Sequence, residues 1–168
     1  MKGQSTPVKG EIEDELRILL SDAERVVVAG IGNPLRKDDS VGVAIVRRLR
    51  GRVSQSVYLI ECETVPESFM KSIIEFSPTH ILLIDAAILG QEPGSSKLVG
   101  TDQLANQPAV STHALPLQIF CRYLVETTGA KIAVLGIQPK DAGFGEGLTM
   151  KLKKTALDLT DLLSRMLP

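Results

Sequence analysis

Three acids and one histidine stand where the chain leaves apolar runs or approaches a helix. Asp38 and Asp39 follow the first apolar run and its turn, Asp85 ends a later apolar run, and His113 precedes a predicted helix. Carboxylates and an imidazole that converge on one rim suit a divalent transition metal whose remaining ligands are water. The set differs from a structural zinc site, which uses four tetrahedral Cys or His ligands.

Each of these residues also has an ordinary structural interpretation. Asp38 and Asp39 precede an amphipathic segment, where an acid can cap a helix and complement its dipole. Asp85 could be a turn residue, and His113 could bond the backbone near a helix start. The only other histidine, His80, precedes its strand at the opposite end, so we expect a structural role for it. Spacing alone leaves the metal-site and structural interpretations open.

Apolar strand patterns alternate with amphipathic helix patterns along the chain. We predict strands at 25–31, 57–60, 81–84, 97–100 and 131–136. We predict helices at about 11–20, 41–49, 66–76, 115–125 and 152–166, and loops at 106–112 and 138–147. This order predicts an α/β fold, a three-layer sandwich with a mostly parallel twisted sheet and helices on both faces. Ligands of such sheets bind beyond the carboxyl ends of the strands, which is where the acids and His113 stand.

The length of 168 residues predicts a single domain over 1–168. We expect a flexible lead and an accessory helix over 1–24, and an α/β core over 25–168. The net charge of −1 argues against a nucleic-acid-binding protein, which usually carries a basic excess. A local basic cluster is either a solvated helix end or a docking point for an acidic partner surface. Its members are Arg47, Arg48, Arg50 and Arg52.

The cysteine content and the N-terminal sequence help to predict the cellular compartment of the protein. Cys62 and Cys121 are the only cysteines, so we expect no disulfide framework and a reducing cytoplasm. The N-terminal stretch is charged throughout, unlike a signal peptide, and no apolar run approaches the roughly 20 residues that span a bilayer. A cytoplasmic protein without membrane contact is therefore predicted. The short chain has no long apolar face, which favours a monomer.

The turn that begins at Gly30 partly resembles a dinucleotide-binding fingerprint. It reads GIGNPL, so Leu35 stands where the third glycine belongs and Pro34 stands where backbone amides should face a pyrophosphate. A partial Gly-x-Gly pattern is weak evidence for a nucleotide cofactor. The chain has neither a P-loop nor the Gly-x-Ser-x-Gly turn of serine hydrolases. We therefore expect no nucleotide cofactor.

Four motifs, in order, resemble those of the nickel-iron hydrogenase maturation endopeptidases. They are GIGNPLRKDDSVG at 30–42, IDA at 84–86, THALPL at 112–117, and LGIQP at 135–139 followed by GF at 143–144 and LT at 148–149. The late motif is most similar to the branch that processes the hydrogenase 3 type of large subunit. The resemblance covers about residues 25–165, and four motifs in order are more specific than any one of them.

This resemblance implies a nickel-dependent endopeptidase that removes the C-terminal extension of the hydrogenase large-subunit precursor after nickel insertion. Carried over by motif, the nickel ligands are Asp39, Asp85 and His113, and the nickel arrives on the precursor. Asp38 is a candidate general base. Whether nickel is catalytic or only a recognition handle stays open. The alternatives are a nickel-binding accessory protein without hydrolytic activity and, less favoured, a dinucleotide-binding module.

The chain departs from the family pattern after its second predicted strand. Glu61, Cys62 and Glu63 stand where many family members have Asp-Gly-Gly. Two additional side chains therefore occupy glycine positions, and we expect them to change the cleft beside this strand.

Overall fold

The computed structural model describes the backbone of residues 9–106 and 114–168, and the side chains of residues 10–103 and 117–168. Its centre is a sheet with the strand order β2-β1-β3-β5-β4. The strands are β1 Val26–Ile31, β2 Val57–Glu63, β3 His80–Ala86, β4 Ser96–Gly100 and β5 Lys131–Ile137. All neighbours pair in parallel except β4, which runs antiparallel to β5 at one edge. The predicted mostly parallel sheet is confirmed.

Helices pack on both faces of this sheet. They are α1 Lys9–Leu19, α2 Val41–Leu49, α3 Met70–Phe76, α4 Thr101–Asn106, α5 Ala114–Thr128 and α6 Met150–Met166, with 3-10 turns at Lys37–Ser40 and Pro66–Phe69. Val26 and Val28 of β1 pack with side chains of α1, α2 and α6. Val27 and Ala29 point the other way and pack with α3 and α5. The molecule is therefore the predicted three-layer sandwich.

The central strands explain why the sequence reads as continuous apolar runs. Every residue of β1 and β3 is buried, because helices cover both faces of the sheet there. Tight packing of α2 also depends on two glycines. A Cβ at Gly42 would overlap the carbonyl oxygen of Ile84, and one at Gly30 would overlap the carbonyl of Gly42. The start of α2 is thereby pressed against the end of β3.

The N-terminal helix α1 packs on the outside of the sheet, as expected, and also adds to the core. Ile12, Leu16 and Leu20 are buried in the same cluster as the apolar faces of α2 and α6. The helix contacts β4 and α6. Its apolar face is therefore integral to one layer of this fold.

Three differences from the predicted elements are local. β2 continues to Glu63, the segment 66–76 begins as a 3-10 turn, and α4 was not predicted. The predicted loop over 106–112 lies outside the described residues apart from Asn106, which ends α4. Among the helices of the described ranges, none has the length and apolarity to cross a membrane.

Candidate active site

Both acids of the first motif lie on the 3-10 turn Lys37–Ser40, between β1 and α2. Asp38 and Asp39 are 0% and 1% exposed, so neither is a solvated surface charge. Gly32 lets the chain fold back onto this turn. Its φ is +138°, and a Cβ there would overlap the carbonyl oxygen of Asp39. The turn is consequently packed against the carboxyl end of β1.

Asp39 is oriented by the backbone of the preceding loop. The N–H of Asn33 donates to Oδ2 of Asp39 at 2.8 Å. A carboxylate can accept about four hydrogen bonds or ligand contacts, so this bond fixes the group and leaves capacity for a further ligand. Asp39 is thus preoriented at the carboxyl edge of the sheet.

Asp85 occupies the neighbouring position on β3. It is 0% exposed and pairs in register with Gly136 of β5. Side chains alternate along a strand, so Asp85 projects to the same face as Ile81 and Leu83, which pack in the layer of α3 and α5. The turn that carries Asp39 contacts β3. The two predicted ligands therefore lie at the same edge of the sheet.

The third predicted ligand, His113, lies outside the described residues. It immediately precedes α5, the helix in the layer to which Asp85 projects. Within the ranges whose side chains are described, no three His, Cys, Asp or Glu residues form a metal-binding group. The ligand set Asp39, Asp85 and His113 stays a prediction. His80 lies at the opposite end of β3, as expected, with its Nε2 3.2 Å from Oδ1 of Asp22.

Both carboxylate oxygens of Asp38 accept hydrogen bonds from a segment more than 100 residues away in sequence. The N–H groups of Lys140 and Asp141 each donate to Oδ2 at 3.0 Å. The N–H of Thr149 donates to Oδ1 at 2.7 Å, and its hydroxyl donates to Oδ2 at 2.9 Å. Four donors occupy most of what a carboxylate can accept. This favours a structural role for Asp38, while the general-base role stays an untested prediction.

We call residues 138–149 the late loop. Further hydrogen bonds and an ion pair join it to the turn that carries Asp39. The N–H of Lys37 donates to the carbonyl of Gly145 at 2.9 Å, and the N–H of Gly145 donates to the carbonyl of Leu35 at 2.8 Å. Lys37 Nζ lies 2.6 Å from Oδ2 of Asp141. Hydrogen bonds from that ammonium and from the N–H of Gly143 lower the pKa of Asp141. The late loop is therefore held against the turn that carries Asp39.

Sequence reasoning matched the late loop to a motif but found no role for it. The role follows from the contact of Asp38, which the sequence offered only as a candidate general base, with the remote residue Thr149. A single sequence does not show that two such residues touch.

The end of β2 shows how the chain accommodates its departure from Asp-Gly-Gly. Glu61 accepts from Arg47 Nε at 2.8 Å and from Arg50 Nη2 at 2.6 Å. Glu63 has a φ of +51°, in the left-handed region that favours glycine. Its carbonyl accepts from the N–H of Gly32 at 2.8 Å. The backbone at Glu63 thus has a glycine-like conformation although the side chain is larger.

A cleft of about 380 Å³ lies beside this end of β2. It is lined by Thr64, Pro66, Glu67 and Met70 on one side and by Leu117, Ile119 and Phe120 of α5 on the other. The cleft is mostly apolar and borders the part of α5 nearest to His113. An extended peptide could lie here beside the carboxyl edge of the sheet.

Comparison with known proteins agrees with the sequence motifs. A sequence model of the HycI hydrogenase maturation protease family matches residues 43–165. This chain belongs to the hydrogenase maturation protease family. Asp85 and His113 lie within the matched range, and Asp39 lies just before it.

Individual members of the hydrogenase maturation protease family are similar over most of their length. A relative from Methanocaldococcus jannaschii is 38% identical over 133 residues, which cover 74% of this chain and 78% of the relative. The hydrogenase 3 maturation protease of Escherichia coli K12 is 29% identical over 127 residues, covering 76% and 81%.

A solved structure agrees with the fold. The crystal structure of the NiFe hydrogenase maturation protease HycI from Thermococcus kodakarensis KOD1 superposes with a TM-score of 0.80 at 34% identity. The superposition covers 93% of this chain and 97% of the Thermococcus chain. The α/β fold, the family and the assignment as a peptidase are confirmed.

Proposed function

We propose that this protease removes the C-terminal extension from the precursor of a NiFe hydrogenase large subunit once nickel has been inserted. The observation that carries the proposal is the pair of buried carboxylates, Asp39 and Asp85, at the carboxyl edge of the sheet in a member of this family. The similarity to the E. coli hydrogenase 3 maturation protease supports a substrate of the hydrogenase 3 type.

The donor set fits a nickel ion that the precursor carries. Taking carboxylates out of water is unfavourable unless a cation or hydrogen bonds compensate, and a divalent ion supplies such compensation. Carboxylate oxygens and an imidazole from His113 are acceptable ligands for nickel. A bound divalent metal supplies Lewis acidity, which polarises a carbonyl or acidifies a water.

The contribution of the protein is to hold these groups in place before the substrate arrives. The N–H of Asn33 fixes the carboxylate of Asp39, and the backbone of β3 fixes the position of Asp85. Groups that need little reorganisation bind and orient a substrate more effectively. The apolar cleft beside β2 and α5 would receive the peptide that follows the nickel-bearing part of the precursor.

The test is an incubation of the protease with nickel-loaded and nickel-free precursor, followed by intact mass measurement. We expect loss of a C-terminal peptide only from the loaded form. Asp39→Asn, Asp85→Asn and His113→Ala should each abolish cleavage. The control variant is Asp14→Asn, which changes an exposed acid of α1 and should cleave normally.

Two outcomes would contradict the proposal. Cleavage by Asp39→Asn at the wild-type rate would remove this carboxylate from the reaction. Nickel binding by the protein without any cleavage of the loaded precursor would instead favour an accessory nickel-binding role.

A further inference from the structure

A second concave surface lies between α2 and the late loop, on the turn that precedes Asp39. We call it the basic groove. It has a volume of about 430 Å³, and Pro34, Leu35, Ala44 and Leu148 form its apolar part. Leu35 is 49% exposed, which is unusual for a leucine in a well-packed region. The groove is thus an accessible depression with both apolar and charged lining residues.

Positive charge dominates the sides of the basic groove. Arg47, Arg48 and Lys153 line it, against one acid, Glu146. Arg47 shares the carboxylate of Glu61 with a second arginine, so that neighbourhood keeps an excess of positive charge. Within the described ranges, neither Arg48 nor Lys153 lies in an ion pair. The arginine cluster of the sequence is therefore only partly neutralised within the fold.

The basic groove is close to the candidate active site along the chain and in space. Ser40 lines the groove and directly follows Asp39. Pro34 and Leu35 belong to the loop whose Asn33 N–H orients Asp39. The groove therefore adjoins the turn that carries Asp39.

The walls of the basic groove are held rigidly. The carbonyl of Leu35 accepts from Gly145 of the late loop, and Asp38 binds Thr149 at the start of α6. Lys153 lies in the first turn of that helix, where its N–H donates to the carbonyl of Thr149. Because the backbone of the groove is already ordered, binding of a partner needs to order only the side chains.

We propose that the basic groove binds an acidic segment of the large-subunit precursor. Guanidinium and ammonium groups form charge-assisted hydrogen bonds with carboxylates, and the planar guanidinium can do so through two parallel bonds. The apolar lining residues Leu35 and Leu148 can contact the aliphatic part of a glutamate or a neighbouring apolar side chain. The identity of the partner rests on the proposed function, whereas the preference for an acidic peptide rests on the groove alone.

The test reverses the charge of the two unpaired cations. The double variant Arg48→Glu/Lys153→Glu is compared with Lys151→Glu, which changes an exposed lysine of the same helical turn that lines a different depression. We expect at least a tenfold increase in the Kd for nickel-free precursor at low salt in the double variant. The increase should shrink in high salt, because screening weakens exposed charge interactions. The control should stay within twofold of wild type.

Turnover gives a second measure. With nickel-loaded precursor, the double variant should raise KM and leave kcat near the wild-type value, since the groove contacts no group assigned to the chemistry. Matching thermal unfolding of the variants excludes a folding defect. An unchanged Kd and KM in the double variant, with normal cleavage by wild type, would contradict the proposed binding role of the basic groove. The proposed function would be unaffected.

A synthetic probe separates the two proposals. Binding of an acetylated peptide of eight glutamates is measured by fluorescence anisotropy for the wild type and both variants. Binding that the double variant loses and the control keeps supports the groove, even if wild type fails to cleave any precursor. Equal binding by all three proteins, or none by wild type, contradicts it.

Discussion

Replacement of Asp38 by asparagine should lower stability, whereas replacement of the adjacent Asp39 should abolish activity with little effect on stability. The carboxylate of Asp38 accepts from three backbone N–H groups and one hydroxyl, of Lys140, Asp141 and Thr149. An asparagine has one acceptor oxygen, and its amino group would face N–H donors. At least one buried N–H therefore loses its partner.

The magnitude follows from the number and type of these bonds. A hydrogen bond to a charged group contributes about 1.5–3 kcal/mol, and an unsatisfied buried donor costs about 1–3 kcal/mol. We expect Asp38→Asn to lower the free energy of unfolding by about 3 kcal/mol. For a protein of this size, that corresponds to a fall in Tm of about 6–12 °C. The variant should remain folded at room temperature, because domains are typically stable by about 5–15 kcal/mol.

Asp39→Asn should behave differently. The described contact of its carboxylate is one hydrogen bond from the N–H of Asn33, which an amide oxygen can also accept. We expect a change in the free energy of unfolding below about 1 kcal/mol, in line with a single exchanged bond. Cleavage should nevertheless be lost, because the negative charge that would hold a cation is gone.

Urea unfolding followed by circular dichroism measures both stabilities, and hydrogen exchange locates the effect. In Asp38→Asn, the backbone amides of Lys140, Asp141 and Thr149 should exchange faster than in wild type. The amides of the central strands should keep the same ranking of exchange rates among themselves. The contrary result is wild-type stability and amide protection in Asp38→Asn together with loss of cleavage. That result would assign Asp38 to the chemistry as a general base.

Three further predictions concern packing, thiols and pH. Gly42→Ala should destabilise the protein by about 3 kcal/mol in urea unfolding, because its methyl group overlaps a carbonyl of β3. Burial raises the pKa of both Cys62 and Cys121 to about 12, so neither thiol should react with Ellman's reagent at pH 8 until urea unfolds the chain. The pKa of Asp141 is lowered by Lys37, so this pair stabilises the fold above the unfolded pKa of about 3.9 and less as pH falls through the lowered value. Urea unfolding between pH 6 and pH 3 should therefore show a smaller loss of stability for Lys37→Met than for wild type.

The layers of the fold could be predicted because they rest on short-range patterns. The apolar runs of β1 and β3 are continuous because both faces of those strands are covered. Parallel strands place their carboxyl ends at one edge, which is why Asp39 and Asp85 could be assigned to a common rim without coordinates. Helix α4 was missed because six residues are too few to show a helical period.

The different roles of the two adjacent acids, Asp38 and Asp39, could not be predicted from short-range patterns. Asp38 and Asp39 look alike in sequence, and the difference arises from a loop that returns more than 100 residues later to bind only one of them. The left-handed backbone at Glu63 was also hidden, because no glycine marks it. In both cases the decisive contact is non-local, as in the pairing of Glu63 with Gly32.

We propose that Asp39 and Asp85 act on a nickel-loaded precursor. The most direct measurement is the intact mass of the large subunit after incubation with wild type and with Asp39→Asn, each with and without nickel in the precursor. We expect one shortened product, formed by wild type from the nickel-loaded precursor alone. Equal shortening of the nickel-free precursor, or shortening by Asp39→Asn, would contradict it.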